Sequence, residues 1–179
     1  STPDGVQRAL SDIPPDAIKK TLRQLVALGL LTSDAQPAVR IPRTKVMNAW
    51  LHITNACNLR CDYCYVHKTN ENMSLETGQR AIQAIFQAVQ IGGYRGVKLK
   101  FSGGEALLNR ELIFALNHQA RQLAEQAGLW FDSVVLSNGV AISERVITEL
   151  QTYNIRLSIS LDGVGKFHDI QRKLVNGQG

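Results

Sequence analysis

Cysteine is scarce in this 179-residue chain: Cys57, Cys61 and Cys64 are the only three, and they fall within eight consecutive positions. An odd, crowded set of that kind excludes a disulfide framework and points to metal-ligating thiols in a reducing compartment. Long hydrophobic runs are also missing. The longest, at residues 28–31 and 134–136, fall far short of the roughly 20 apolar residues of a membrane helix, so no membrane role is expected. Basic residues form no run: 20 Lys and Arg against 15 Asp and Glu, net +5, are scattered, which argues against a nucleic-acid partner. There is no repeat at solenoid periods and no basic start leading into an apolar run with a small-residue cleavage site, so no secretion signal is expected.

What remains is the composition of a folded chain, 44% hydrophobic and 20% charged, long enough for one domain and a remainder at roughly 150 residues per domain. Residues 33–45 carry Pro37 and Pro42 and little periodicity, and read as a linker. Before them, Pro14 and Pro15 open a helix, Asp16 suits its first turn, and Ile18, Leu22, Leu25 and Val26 make one apolar stripe that ends at Gly29. Residues 1–45 are therefore an N-terminal helical extension. A helix running into Gly29-Leu30-Leu31 is also how a winged-helix recognition module passes into its hairpin.

From residue 46 strand and helix alternate. Residues 49–54 form a strand; Ser74 caps a helix with Ile82, Ile85, Phe86 and Val89 on one face, stopping at Gly92-Gly93. Val97, Leu99 and Phe101 alternate with lysines as a second strand, and a helix follows through Leu112, Ile113, Leu116, Ala120 and Leu123 to Gly128. Residues 134–136 centre a third strand, Ser143 caps a third helix, and residues 155–161 give a fourth strand. Single helices between strands imply right-handed crossovers and a parallel sheet. Polar or Gly-rich sequence follows the carboxyl end of every strand: Thr54-Asn55-Ala56-Cys57, Ser102-Gly103-Gly104-Glu105, Ser137-Asn138-Gly139 and Ser160-Leu161-Asp162-Gly163. That places the chemistry on one rim, as in a TIM-type barrel, whereas a doubly wound sheet gathers it at one switch point.

Three thiolates in the loop after the first strand are an informative number. A structural zinc takes four protein ligands, while a 4Fe-4S cluster takes one thiolate per iron, so three leave one iron open to a substrate or cofactor. His67, three residues past Cys64, would complete a Cys3His zinc site, and a zinc-stabilised α/β binding module is the competing, non-enzymatic reading.

With Tyr63 before its last cysteine, C-N-L-R-C-D-Y-C resembles the radical S-adenosylmethionine (SAM) enzymes, and Gly103-Gly104-Glu105 after the second strand fits the same pattern. The resemblance covers roughly residues 50–179. It implies a 4Fe-4S cluster on Cys57, Cys61 and Cys64, with SAM chelating the open iron through its methionyl amine and carboxylate. By the same resemblance Gly103, Gly104 and Glu105 hold the amine, Ser137 and Asn138 reach the ribose, and Tyr63 meets the adenine. Ser160 and Arg172 contact the cofactor carboxylate, and Asp162 shapes its turn or accepts a ribose hydroxyl. No side chain beyond the cluster and SAM is expected to be catalytic: the reduced cluster cleaves SAM to a 5'-deoxyadenosyl radical, which abstracts a substrate hydrogen.

Together with S-L-D-G-x-x-x-x-H-D, these motifs look most like maturases that modify peptides or proteins, including those with a C-terminal SPASM domain carrying auxiliary 4Fe-4S clusters. Such a resemblance implies a peptide or protein substrate, here a ribosomally made peptide, with anaerobic sulfatase maturation as the alternative. It further implies an electron donor such as flavodoxin or ferredoxin and a cytoplasmic setting. Auxiliary-cluster cysteines do not occur in residues 1–179. The barrel of this family has six βα units, of which residues 46–179 supply four strands, so the barrel is expected to continue past Gly179.

Overall fold

The computed structural model describes residues 5, 8, 10–31 and 45–178, in two compact units, Ser1–Arg43 and Thr44–Gly179. In the first unit, helix α1 spans Pro15–Ala27, with Asp16 in its first turn. Proline suits that start because its fixed φ is already helical and its missing N–H would have had no partner there. The helix closes where the Leu28 and Leu30 N–H groups reach back to the Gln24 and Leu25 carbonyls, with Gly29 in the left-handed region at φ 69°. Of its stripe, Ile18 is buried, whereas Val26 is 53% exposed. The hairpin expected after Leu31 and the linker up to residue 44 lie outside the described residues.

The second unit alternates as the hydrophobic pattern demands. Strand β1 is Val46–Thr54, α2 Leu75–Gly92, β2 Gly96–Gly103, α3 Arg110–Gln126, β3 Trp130–Ser137, α4 Glu144–Thr152, β4 Arg156–Ile159 and α5 Lys166–Gln171. Among the described residues the strands form one parallel sheet in the order β1-β2-β3-β4. Each strand sits beside its predecessor, the progression of a TIM-type barrel, and no strand reverses the order as in a doubly wound sheet. The fold is thus α/β, the first four βα units of a partial barrel.

Period-two alternation sorts the sheet's two faces. Val97, Leu99 and Phe101 are fully buried with Ile53 of β1, Ile82, Phe86 and Val89 of α2, and Ile113, Leu116 and Ala120 of α3. Between them, Lys98 and Lys100 take the other face, where Lys98 lies 3.9 Å from Asp132 and Lys100 stands over the ring of Trp50. Helix starts follow the capping rule: Ser74 accepts from the Thr77 N–H and Ser143 from the Val146 N–H.

The limits of two strands differ from the sequence expectation. β1 begins at Val46 rather than Ala49, because Val46 and Met47 pair with Gly96 and Val97. β4 stops at Ile159 rather than Leu161 and omits Ile155. Ile155 directs its N–H back to the Leu150 carbonyl to close α4, and at the other end the chain turns away, leaving Leu161 71% exposed.

Candidate functional site

The cysteine loop leaves β1 through an irregularity in the β1–β2 register between His52 and Thr54. Bulges of this kind re-aim a strand end and are common beside functional sites. Thr54 is buried; its hydroxyl donates to the Glu71 carbonyl and accepts from the Ala56 N–H. Leu59, only 2% exposed, is the apolar anchor of the loop. Arg60 clamps the backbone by donating to the Cys57 and Leu59 carbonyls, each at 2.8 Å.

Gly103, the last residue of β2, and Gly104 sit directly on this loop. Gly104 donates its N–H to the Thr54 carbonyl at 2.7 Å and Glu105 donates to the Ala56 carbonyl at 2.8 Å. A Cβ on Gly104 would stand 2.3 Å from the Ala56 carbonyl oxygen, and one on Gly103, at φ 146°, 2.4 Å from that of Thr54. Only glycine permits that backbone-to-backbone approach. The pair is therefore a seat for the cysteine loop, whatever else it holds.

Glu105 is 1% exposed. One carboxylate oxygen accepts from the Leu107 N–H at 3.1 Å, capping the 3-10 turn Ala106–Asn109, and the other from the Asn138 N–H at 2.7 Å. Asn138 in turn donates from its amide to Asn58 Oδ1 at 2.8 Å and to Cys57 Sγ at 3.8 Å, while its Oδ1 accepts from the Val140 N–H. The Ser137 hydroxyl accepts from the Gly139 N–H, and the Ser137 carbonyl accepts from the Ser160 N–H. The three rim loops are tied into one unit on this side.

On the other side the chain after α5 returns across the cysteine loop. Leu59 and Leu174 form an antiparallel bridge, the Arg60 N–H donates to the Lys173 carbonyl at 2.7 Å, and Lys173 pairs with Asp62 at 2.9 Å. Arg172 pairs with Asp162: Nη2 donates to one carboxylate oxygen at 3.0 Å, Nε lies 3.0 Å from the other without a hydrogen bond, and the guanidinium lies 5.8 Å from the Tyr63 ring centroid. The Tyr63 hydroxyl donates to Asp162 as well. Asp162 is therefore held below the usual carboxylate range, first by Arg172 and then by Tyr63, while burial and that hydrogen bond push Tyr63 up to about 12. His168 accepts from the Asp162 N–H at 3.3 Å, so it shapes this turn.

The three thiols lie close enough to feel one another. Burial pushes Cys61 up, and the charges of Cys57 and Cys64 add to that rise. Cys64 goes the other way: burial raises it, but the Lys68 ammonium at 2.8 Å, the Val66 N–H and the charge of Arg172 bring it below the ordinary thiol value. Cys57 accepts from the Leu59 N–H at 3.4 Å. Sulfurs surrounded by N–H donors and two cations are a donor set suited to thiolates holding an iron–sulfur cluster. Among the described residues no group of three or more His, Cys, Asp or Glu is arranged to hold a single metal ion, and His67 does not complete such a site. An open cavity of about 410 Å³ adjoins the loop, with Cys57, Arg60, Lys68 and Leu108 in its walls.

The structure thus brings together Tyr63, Asp162 and Arg172 as one group, and Glu105, Asn138 and Cys57 as another; Ser160 meets the second only through the Ser137 backbone. Sequence reasoning missed Lys68, Asn58 and Lys173. Lys68 carried one signal, a cation placed four residues after a cysteine in the same loop.

A thiol-rich loop seated by glycine backbone on the carboxyl ends of parallel strands defines the class: a partial parallel α/β barrel with a cysteine loop at its rim. Residues 51–179 match the sequence model of the Radical SAM superfamily, and the chain belongs to that family. An uncharacterized protein of Methanocaldococcus jannaschii is 30% identical over 129 residues, covering 72% of this chain and 42% of the relative. The cysteine-type anaerobic sulfatase-maturating enzyme of Clostridium perfringens is 22% identical, covering 67% of this chain and 34% of that protein. In fold, the chain resembles native anSMEcpe with bound AdoMet at a TM-score of 0.63 and 22% identity, over 74% of this chain and 36% of that one. The chain thus spans about a quarter to two fifths of the length of the relatives it matches.

Proposed function

We propose that this chain is the cluster- and SAM-binding part of a radical SAM enzyme that abstracts hydrogen from a peptide or protein, as a maturase of a ribosomally made peptide. The observation that carries the cofactor assignment is the convergence of Cys57, Cys61 and Cys64 in one loop that Gly103, Gly104 and Glu105 lock to the strand ends. When bound, a 4Fe-4S cluster and SAM supply one-electron cleavage of a carbon–sulfur bond and a 5'-deoxyadenosyl radical.

The chain's own residues bind and orient. Cys57, Cys61 and Cys64 ligate three irons and leave the fourth for SAM. The Gly103-Gly104-Glu105 turn offers backbone to the methionyl amine while the Glu105 carboxylate holds Asn138 and Leu107 in place. Ser137 and Asn138 line the side for the ribose, Tyr63 faces the adenine, Ser160 joins Arg172 at the cofactor carboxylate, and Asp162 shapes its turn or accepts a ribose hydroxyl. Arg172, paired with Asp162, exchanges that partner for the cofactor carboxylate. Residues 1–45 act as a recognition extension for the peptide.

The peptide reading is supported by a relative named as a sulfatase-maturating enzyme. That relative also favours sulfatase maturation as the second reading. A SPASM domain with auxiliary clusters, a flavodoxin or ferredoxin donor and a cytoplasmic setting belong to the same proposal. No described helix is long and apolar enough to cross a membrane.

The test is anaerobic reconstitution of the full protein with iron and sulfide, followed by dithionite and SAM. Release of 5'-deoxyadenosine, lost in Cys57→Ala, Cys61→Ala and Cys64→Ala, is expected; one zinc per chain and no nucleoside product would sink the reading. Removing residues 1–45 is expected to weaken binding of the precursor peptide and to leave the iron content intact, and unchanged peptide affinity would refute the recognition role.

A further inference from the structure

The three thiols are not equivalently surrounded. Cys57 receives two neutral N–H groups, from Leu59 at 3.4 Å and Asn138 at 3.8 Å. Cys64 receives a full positive charge, the Lys68 ammonium at 2.8 Å. Lys68 is half-buried and, among the described residues, makes no ion pair with any carboxylate; its hydrogen bond goes to the sulfur. A lysine ammonium is strongly hydrated and is ordinarily solvated or paired with an acid. Placing it against a thiol implies a negative partner there.

We propose that Lys68 sets the reduction potential of the cluster by placing a charge-assisted N–H···S contact on the Cys64 corner. This rests on the reading that Cys57, Cys61 and Cys64 hold a 4Fe-4S cluster. Reduction adds one electron to the cluster, so a cation beside one ligating sulfur favours the reduced form more than the oxidised form. Hydrogen bonds to cluster sulfurs and nearby charge are the protein's recognised means of moving such potentials. Lys68 thus makes the cluster easier to reduce by its donor. Lys68 is a tuning residue and touches no reacting atom.

The experiment is a dithionite redox titration of the reconstituted full-length enzyme, followed by EPR, in wild type, Lys68→Met, Lys68→Gln and Lys68→Arg, with iron and sulfide counted in each. Lys68→Met should shift the one-electron reduction equilibrium toward the oxidised cluster by on the order of tenfold, which is about 59 mV of midpoint potential. Lys68→Arg keeps the charge and should restore the midpoint. Lys68→Gln keeps an N–H and loses the charge, so it should fall with Lys68→Met. A loaded cluster whose midpoint is the same in wild type and Lys68→Met overturns the proposal. If Lys68→Met loses its iron, Lys68→Gln decides on the same criterion; iron loss in both, with retention in Lys68→Arg, overturns tuning in favour of a role in cluster retention. Failure of the wild type to load iron sinks the underlying cluster reading instead, and the two failures are told apart by the iron count.

Discussion

The buried carboxylate of Glu105 accepts the backbone N–H of Asn138 at 2.7 Å, across 33 residues of sequence. Through that bond the loop after β2 fixes the loop after β3, and the Asn138 side chain carries the link to Asn58 and Cys57. A hydrogen bond to a charged group contributes about 1.5–3 kcal/mol, and a buried donor left unpaired costs about 1–3 kcal/mol. Glu105→Ala orphans two N–H groups, so we expect a loss of about 3 kcal/mol in urea unfolding of the apo protein, together with reduced iron loading. A change below about 0.5 kcal/mol would show that Glu105 serves a ligand alone.

Gly104 tests the seat directly. A methyl group there meets the Ala56 carbonyl oxygen at 2.3 Å, with the Asn55 carbonyl oxygen at 2.7 Å. Both obstacles are backbone, which cannot swing aside as a side chain would. Overpacking of this kind costs about 1–3 kcal/mol, and the strain falls on the residues leading into Cys57. Gly104→Ala is expected to lower the unfolding midpoint and halve the iron bound on reconstitution or worse. Full iron content would contradict the seating role.

Arg172 carries the third prediction. Its side chain is 13% exposed and paired with Asp162, which Tyr63 also engages. The folded Asp162 value is depressed, so this link is complete above the ordinary carboxylate range and is lost as pH falls through the depressed value. A guanidinium fork matches a carboxylate in geometry and charge. Arg172→Met is expected to weaken SAM binding on the order of tenfold, equivalent to about 1.4 kcal/mol, with the iron count unchanged. Calorimetric titration of SAM into the reconstituted enzyme measures this, and an unchanged Kd would remove Arg172 from the cofactor site.

The sheet was legible because its signals are local. Val97, Leu99 and Phe101 alternate with lysines, and Ser74 and Ser143 stand where caps must stand. The cysteine spacing was legible for the same reason. What the sequence left hidden is long-range. Lys173 meets Asp62 across 111 residues, and Asn138 meets Asn58 across 80; nothing in either segment's own pattern announces the other. Glu105 shows a subtler limit. Its neighbours Gly103 and Gly104 read as a turn for an amino group, yet the structure gives both carboxylate oxygens backbone partners, a role only burial reveals. β4 was overread at both ends because Ile155 and Leu161 are apolar enough for a strand, while helix closure and the Ser160–Gly163 turn claim them.

The central claim is that the Cys57, Cys61 and Cys64 thiolates hold a 4Fe-4S cluster with one iron open to SAM. The most direct test is a pair of EPR spectra of the anaerobically reconstituted, dithionite-reduced protein, recorded without and with SAM. A 4Fe-4S signal whose g-values shift on adding SAM is the predicted result. A protein without a cluster signal, or a signal identical in both spectra, would contradict it.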